Sequence, residues 1–246
     1  MKLQSKRKVL IATLSILAAL IIIFVLCAIY LGSYYSADTD AIEAYLPKDM
    51  SYTQDKYGTI AFEPLGATKG FIFYPGGKVE HEAYIPLMAS LAENGILCVL
   101  VEMPFKLAVF DVNAAEGIQE KYPQITEWYI GGHSLGGSMA ASYVSKHTEK
   151  YKGLVLLGSY STADLSQSSL KVLSVYGSED KVLNQEKYNK YKENLPQDFE
   201  ELVIEGGCHA YFGMYGHQDG DGTPTVTNEE QIIITVDSII NLINKK

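Results

Sequence analysis

From Val9 to Leu31 the chain runs without a charged residue and is polar only at Thr13 and Ser15. As a helix rising 1.5 Å per residue this stretch spans about 34 Å, enough to cross a hydrocarbon layer of about 30 Å. It is longer than the apolar region of a cleavable signal peptide, about 7 to 15 residues, and it meets no small-residue cleavage site. The pattern predicts an uncleaved transmembrane anchor over residues 9–31. A basic tail over residues 1–8 precedes it, and Asp38, Asp40 and Glu43 follow. Positive residues stay on the cytoplasmic side, so the expected topology is single-pass, with a cytoplasmic N-terminus and everything after the helix outside the cell.

Past a polar connector over residues 32–57 the pattern changes. Short apolar runs rich in Val, Ile, Leu and Tyr predict strands at Thr59 to Glu63, Phe71 to Tyr74, Leu97 to Glu102, Trp128 to Gly131, Gly153 to Leu157, Val172 to Tyr176 and Leu202 to Ile204. Helical spacings of three and four separate them. Tyr84, Leu87, Met88 and Leu91 share one face, as do Tyr188, Tyr191 and Leu195, and as do Ile232, Val236, Ile239, Ile240 and Ile243. Continuously apolar strands alternating with helices indicate one α/β domain over residues 58–246, with a mostly parallel central sheet and helices on both faces.

Composition sharpens this in two ways. The net charge of −9 divides into +4 on residues 1–31 and −13 on the remainder, and Arg7 is the only arginine. An acidic domain without arginine lacks the usual bidentate reader of phosphates and bases, so nucleic acid is excluded as a partner. No cofactor and no obligate protein partner is indicated. Of three cysteines, Cys27 lies in the apolar helix, Cys98 in a strand and Cys208 in a loop, too few for a disulfide framework.

In an open parallel sheet, ligands gather at the carboxyl ends of the strands. The strand ending at Gly131 leads into Gly132-His133-Ser134-Leu135-Gly136-Gly137 and then a helix-forming stretch, which is G-x-S-x-G in strand-turn-helix context. That arrangement exposes a serine nucleophile on a tight turn. An unassisted hydroxyl is a poor nucleophile at neutral pH and needs a base. Asp180 stands just past the strand ending at Tyr176, and His209 just past the one ending at Ile204, so Ser134, Asp180 and His209 occupy successive loops on one rim. His217, eight residues beyond His209, is the rival base, and Glu179 the rival acid. His133 lies within the turn, its side chain directed away from the serine. Cys208 reads as packing.

An oxyanion hole needs two donors. The Leu135 N–H supplies one; Pro75-Gly76-Gly77-Lys78 supplies the other, from Gly77 or Lys78. Tyr211, Phe212 and Tyr215 beside the base either wall a substrate pocket or anchor their long loop. Asp219-Gly220-Asp221-Gly222 lacks the spacing of a calcium loop and reads as a hydrogen-bonded turn, so no metal is expected.

Together Tyr74 to Val79, Gly132 to Gly137, Tyr176 to Asp180 and the tract from Gly206 to Gln231 resemble the α/β-hydrolase superfamily. The resemblance is strongest to the compact, dienelactone-hydrolase-like set known as the α/β-hydrolase fold-5 family. It covers about residues 58 to 243 and leaves the anchor out. It implies a Ser134, Asp180, His209 triad and esterase-type hydrolysis of a small-molecule ester. Dienelactone hydrolases proper carry cysteine where this chain has Ser134. The dozen residues from Gly158 to Ser169 leave no room for a lipase-type helical lid. The same triad also serves an acyltransferase, and a retired hydrolase acting as an exported binding module is the remaining alternative.

Overall fold

The computed structural model describes residues 2–245. Met1, at the head of the expected basic tail, and Lys246, at the end of the expected domain, lie outside them. The chain divides into two compact units, one ending at Tyr34 and the other beginning at Tyr35. The first is the helix α1 (Lys2–Gly32). Its side chains from Leu10 to Tyr30 are exposed and almost all apolar, so apolar surface runs all round the helix. It is long and apolar enough to cross a membrane.

The second unit is built on an eight-stranded sheet. Its strands are β1 (Thr53–Gln54), β2 (Ile60–Phe62), β3 (Lys69–Tyr74), β4 (Ile96–Leu100), β5 (Glu127–His133), β6 (Gly153–Leu157), β7 (Lys171–Gly177) and β8 (Glu200–Ile204), in the spatial order β1-β2-β4-β3-β5-β6-β7-β8. From β4 across to β8 every pair is parallel; β1 and β2 run antiparallel at one edge. The sheet is mostly parallel, as the alternation of runs requires. Its helices are α2 (Thr39–Tyr45), α3 (Ile85–Glu93), α4 (Ile118–Lys121), α5 (Leu135–Val144), α6 (Gln185–Tyr191) and α7 (Asn228–Asn244). Residues 35–57, read as connector, thus carry α2 and β1 within the folded unit.

Alternation along β3 assigns the faces. Phe71 and Phe73 pack with Leu87, Met88 and Leu91 of α3 and with Ile232, Val236 and Ile239 of α7. Ile72 and Tyr74 point the other way, toward Ala140, Ala141 and Val144 of α5 and Ile118 of α4. With a core on each side, the strands need no polar face. The long helix α7 starts on a reciprocal capping box, in which Thr227 and Glu230 each accept the other's backbone N–H.

The helix α5 lies unusually close to β3. A side chain at Gly136 would run into the carbonyl oxygens of Tyr74 and Pro75. Alanine there would gain about 1 kcal/mol in helix propensity, but overpacking against fixed backbone costs about 1–3 kcal/mol or more. Gly136→Ala is therefore expected to lower the thermal midpoint of the full chain in detergent by several degrees. An unchanged midpoint would mean that α5 lifts off the sheet freely.

Candidate active site

The carboxyl ends of β5, β7 and β8 bring the chemistry together. Ser134 sits between β5 and α5 at φ 51°, ψ −122°, a conformation that costs a residue with a side chain about 1–3 kcal/mol. Three bonds hold it there. Its N–H donates to the Leu157 carbonyl of β6 at 2.9 Å, and its carbonyl accepts from Ser138 N–H at 3.2 Å and from the Ser159 hydroxyl at 2.7 Å.

Past the end of β7, Asp180 is buried and its two oxygens are divided. Oδ1 accepts the N–H groups of Val182 and Leu183 at 2.9 and 2.8 Å. Oδ2 lies 2.8 Å from Nδ1 of His209, in the loop after β8. An ionised carboxylate only accepts, so Nδ1 carries the proton and Nε2 presents its lone pair. That Nε2 is buried and has no hydrogen-bond partner. His209 and Ser134 line the same cleft of about 250 Å³, together with Leu135, Tyr160, Val182 and Leu183. A larger cavity of about 610 Å³ borders Glu102, Lys106 and Tyr122 and shares no lining residue with this cleft.

The rivals fall elsewhere. His217 is exposed, and Glu179 turns its carboxylate to the Ser178 hydroxyl at 3.4 Å. His81 is engaged by the Gly58 carbonyl and Glu82, and His147 rests on the Tyr143 ring. Cys208 is buried, and burial, aided by the nearby Asp221 carboxylate, pushes its thiol up to about 12. It stays protonated at neutral pH and is no nucleophile. Cys98 and Cys208 are both free thiols.

The His133 ring packs against His209 with centroids 4.4 Å apart. Period-two alternation from Tyr129 puts it on the α3–α7 face of the sheet, where the base also sits. Tyr84 joins it to the glycine loop. The Tyr84 oxygen accepts the Gly76 N–H at 3.1 Å, so its own proton goes to His133 Nδ1 at 2.8 Å. Gly76 must be glycine because a Cβ would meet that hydroxyl and the His133 ring. Burial, reinforced by the neighbouring His209, drives the His133 pKa well below the ordinary imidazole value. His133 is neutral and spares the base a second positive charge.

Tyr84 and a second bond thereby narrow the oxyanion candidates. The Gly76 N–H is spent on Tyr84, and the Lys78 N–H donates to the Lys106 carbonyl at 2.7 Å, which removes Lys78 as a donor. The Gly77 backbone lies against the Leu135 side chain. Leu135, as the first residue of α5, has an N–H with no helical acceptor.

Tyr211, Phe212 and Tyr215 anchor their loop. Phe212 and Tyr215 are buried in the core shared with α3 and α7, Tyr211 packs against its edge, and none of the three lines the cleft. Asp221 ties two loops together: its carboxylate accepts the N–H of Ala210 beside the base, of Lys181 beside the acid and of Gly222. On the other side of the base, Gln231 of α7 brackets Cys208, accepting its N–H at 3.0 Å and donating to its carbonyl at 2.8 Å. Sequence patterns do not single out Ser159 and place Tyr84 only as an apolar position on a helical face; the signal available for Gln231 was a polar residue, like Thr235, on the buried face of α7. Among the described residues no group of three or more His, Cys, Asp or Glu side chains is placed to hold a metal.

A model of the alpha/beta hydrolase family matches residues 70–233. The chain belongs to the α/β hydrolase family. Solved structures agree on the fold. Est1E from Butyrivibrio proteoclasticus is 15% identical with a TM-score of 0.55, over 80% of this α/β hydrolase and 99% of Est1E. A dienelactone hydrolase from Anabaena variabilis is 14% identical with a TM-score of 0.59, over 78% of this chain and 98% of its own. Est1E with ferulic acid bound gives 15% identity and a TM-score of 0.59, over 79% of this chain and all of that one. A comparison with curated proteins finds no match.

Burial acts to raise the Asp221 pKa, but N–H donors from Ala210, Gly222, His209 and Lys181 outweigh it and hold the carboxyl below its ordinary value. A folded-state pKa below the unfolded one, about 3.9, means stabilisation that is present above that value and lost as pH falls through the folded pKa. Asp221→Asn is thus expected to melt a few degrees below wild type near pH 7, with the gap closing below about pH 4. A gap that widens on acidification would contradict this reading of the turn.

Proposed function

We propose that this α/β hydrolase is a serine esterase cleaving small esters with short acyl groups. The observation that carries this is the unpartnered, buried Nε2 of His209, on a ring that is backed by Asp180 and belongs to a residue lining the same cleft as Ser134. Ser134 Oγ attacks the ester carbonyl while His209 Nε2 takes its proton, and Asp180 stabilises the imidazolium. The negative charge that develops on the carbonyl oxygen is met by the N–H groups of Leu135 and Gly77. The intermediate collapses by breaking the bond to the alcohol, which leaves with the proton from His209. Water then attacks the acyl-enzyme by the same route and frees Ser134. No cofactor takes part.

A cleft of about 250 Å³ falls just below the usual range of ligand pockets, about 300–1,000 Å³. It fits an ester group with a few carbons. The esterase and dienelactone hydrolase names of the structural neighbours agree with carboxylic ester chemistry. Residues 9–31 serve as the membrane anchor, with residues 1–8 cytoplasmic and the catalytic domain outside. External protease acting on intact cells should degrade the domain; a protected domain would reverse this topology.

The chemical test is labelling. A fluorophosphonate should modify wild type and fail on Ser134→Ala, and labelling retained in that variant would overturn the assignment. His209→Ala should lower kcat on a short-chain aryl ester by about 10³-fold or more, whereas His217→Ala should stay within about twofold.

Tyr84→Phe leaves the ring in place but removes both hydrogen bonds of the hydroxyl. It should lower kcat several-fold, each lost bond being worth about 1 kcal/mol, with little change in KM. A rise in KM alone would assign Tyr84 to substrate binding.

A further inference from the structure

The chain enters its folded unit at the glycine loop. Only Ser33 and Tyr34 separate Gly32, the last residue of α1, from Tyr35. At no more than about 3.6 Å per residue those three steps of chain reach about 11 Å. Tyr35 is fixed to the glycine loop: its N–H donates to the Lys78 carbonyl at 2.7 Å, and its carbonyl accepts the Glu80 N–H at 2.9 Å. The Lys78 N–H in turn reaches Lys106. Backbone bonds therefore link the point of entry, the loop holding Gly77 and the segment that follows β4.

That segment carries a cluster of outward apolar side chains. Phe105, Val109 and Phe110 are 58%, 48% and 56% exposed, and the two phenylalanine rings meet edge to face at 5.7 Å. Leu107 between them turns inward toward Gly77, and Ala108–Phe110 pack on α5, the helix that begins next to Ser134. Phe105 and Lys106 both have positive φ, 54° and 56°, a region that residues with side chains avoid. The backbone is bent unfavourably where it presents an aromatic ring to the outside. Single exposed apolar residues are ordinary, whereas a cluster of them marks a contact surface; Phe105 borders the cavity of about 610 Å³, and Leu107 ties the segment to Gly77 of the glycine loop.

We propose that the ridge of Phe105, Val109 and Phe110 seats in the surface of the bilayer that holds residues 9–31, so that the cleft works against lipid and its substrate is the short-chain ester of a membrane-resident amphiphile. This rests on the esterase and anchor readings above. The tether selects lipid over a protein partner, because Tyr35 cannot stray more than about 14 Å from Leu31, the last residue of the anchor, four steps of chain away. The charges nearby do not select an anionic surface: Asp111, next to Phe110 in the chain, is exposed. The seat is apolar, and zwitterionic lipid suffices. The cleft takes the ester and its short acyl group while the rest of the amphiphile stays in the bilayer.

The test uses the full chain in phosphatidylcholine vesicles, on a Cys27→Ala background, with an environment-sensitive dye on Phe110→Cys or on Leu65→Cys. Leu65 is fully exposed in the turn before β3, at the opposite end of the sheet. The dye at 110 should shift to the blue and be quenched by spin-labelled lipid, and the dye at 65 should do neither. The double variant Phe105→Ser, Phe110→Ser should hydrolyse a soluble aryl ester within about twofold of wild type. On a phosphatidylcholine bearing one palmitoyl and one butyryl chain within the vesicle it should lose at least about tenfold.

A water-like signal at 110 on protein that floats with the vesicles overturns the seat. Equal loss on both substrates, or no wild-type cleavage of the vesicle ester, overturns the substrate class. Protein that fails to float refutes the anchor and the seat together. Absence of phosphonate labelling and of all ester cleavage refutes the esterase reading and the substrate class with it, while the dye signal still decides the seat.

Discussion

Everything in the catalytic half of this domain is arranged around a backbone that would not hold its shape alone. Ser134 stays at positive φ because β5 delivers it, β6 takes its N–H, Ser159 takes its carbonyl and α5 presses so close that only glycine fits at 136. A chain free in solution would relax that turn. The packing of a parallel sheet between two helical layers removes the freedom to do so, and the strain is met by the burial energy of residues far from the serine.

The base is held by a different logic. His209 lies in a loop with little regular structure, yet its neighbours on both sides are fixed: Cys208 by Gln231, Ala210 by Asp221. Behind it, Asp180 fixes the tautomer and a neutral His133 fills the space. In the proposed mechanism the imidazole gains and loses a proton without moving, and slack there would lose its alignment with Ser134. Gln231 and Asp180 are buried and hydrogen-bonded, and half-buried Asp221 holds three backbone N–H groups, so the loop is pinned without being helical or extended.

The strands were legible in the sequence because a sheet covered on both faces writes long apolar runs; Gly153 to Leu157 matches residue for residue, and the other predicted strands differ by one or two positions at their ends. The strand β1 was not, being two exposed residues with no alternation, and α4 is a single turn after Gly117. The placement of Ser134, Asp180 and His209 on one rim followed from strand ends and chain order. Their supports did not, since each joins parts of the chain that sequence periodicity cannot connect: Ser159 to Ser134, Tyr84 to His133, Gln231 to Cys208. The occupied N–H of Lys78 is of the same kind, a loop-to-loop bond with no local signature.

The clamp from Gln231 has a consequence in time. The helix α7 is the last element of the domain to be synthesised, and until it docks, the residue before the base has no partner for either of its backbone groups. The Ser134 turn depends on the same helix at one remove, since Phe71 and Phe73 of β3 lie under Ile232, Val236 and Ile239 of α7. Both members of the proposed Ser134–His209 pair therefore wait on the docking of α7.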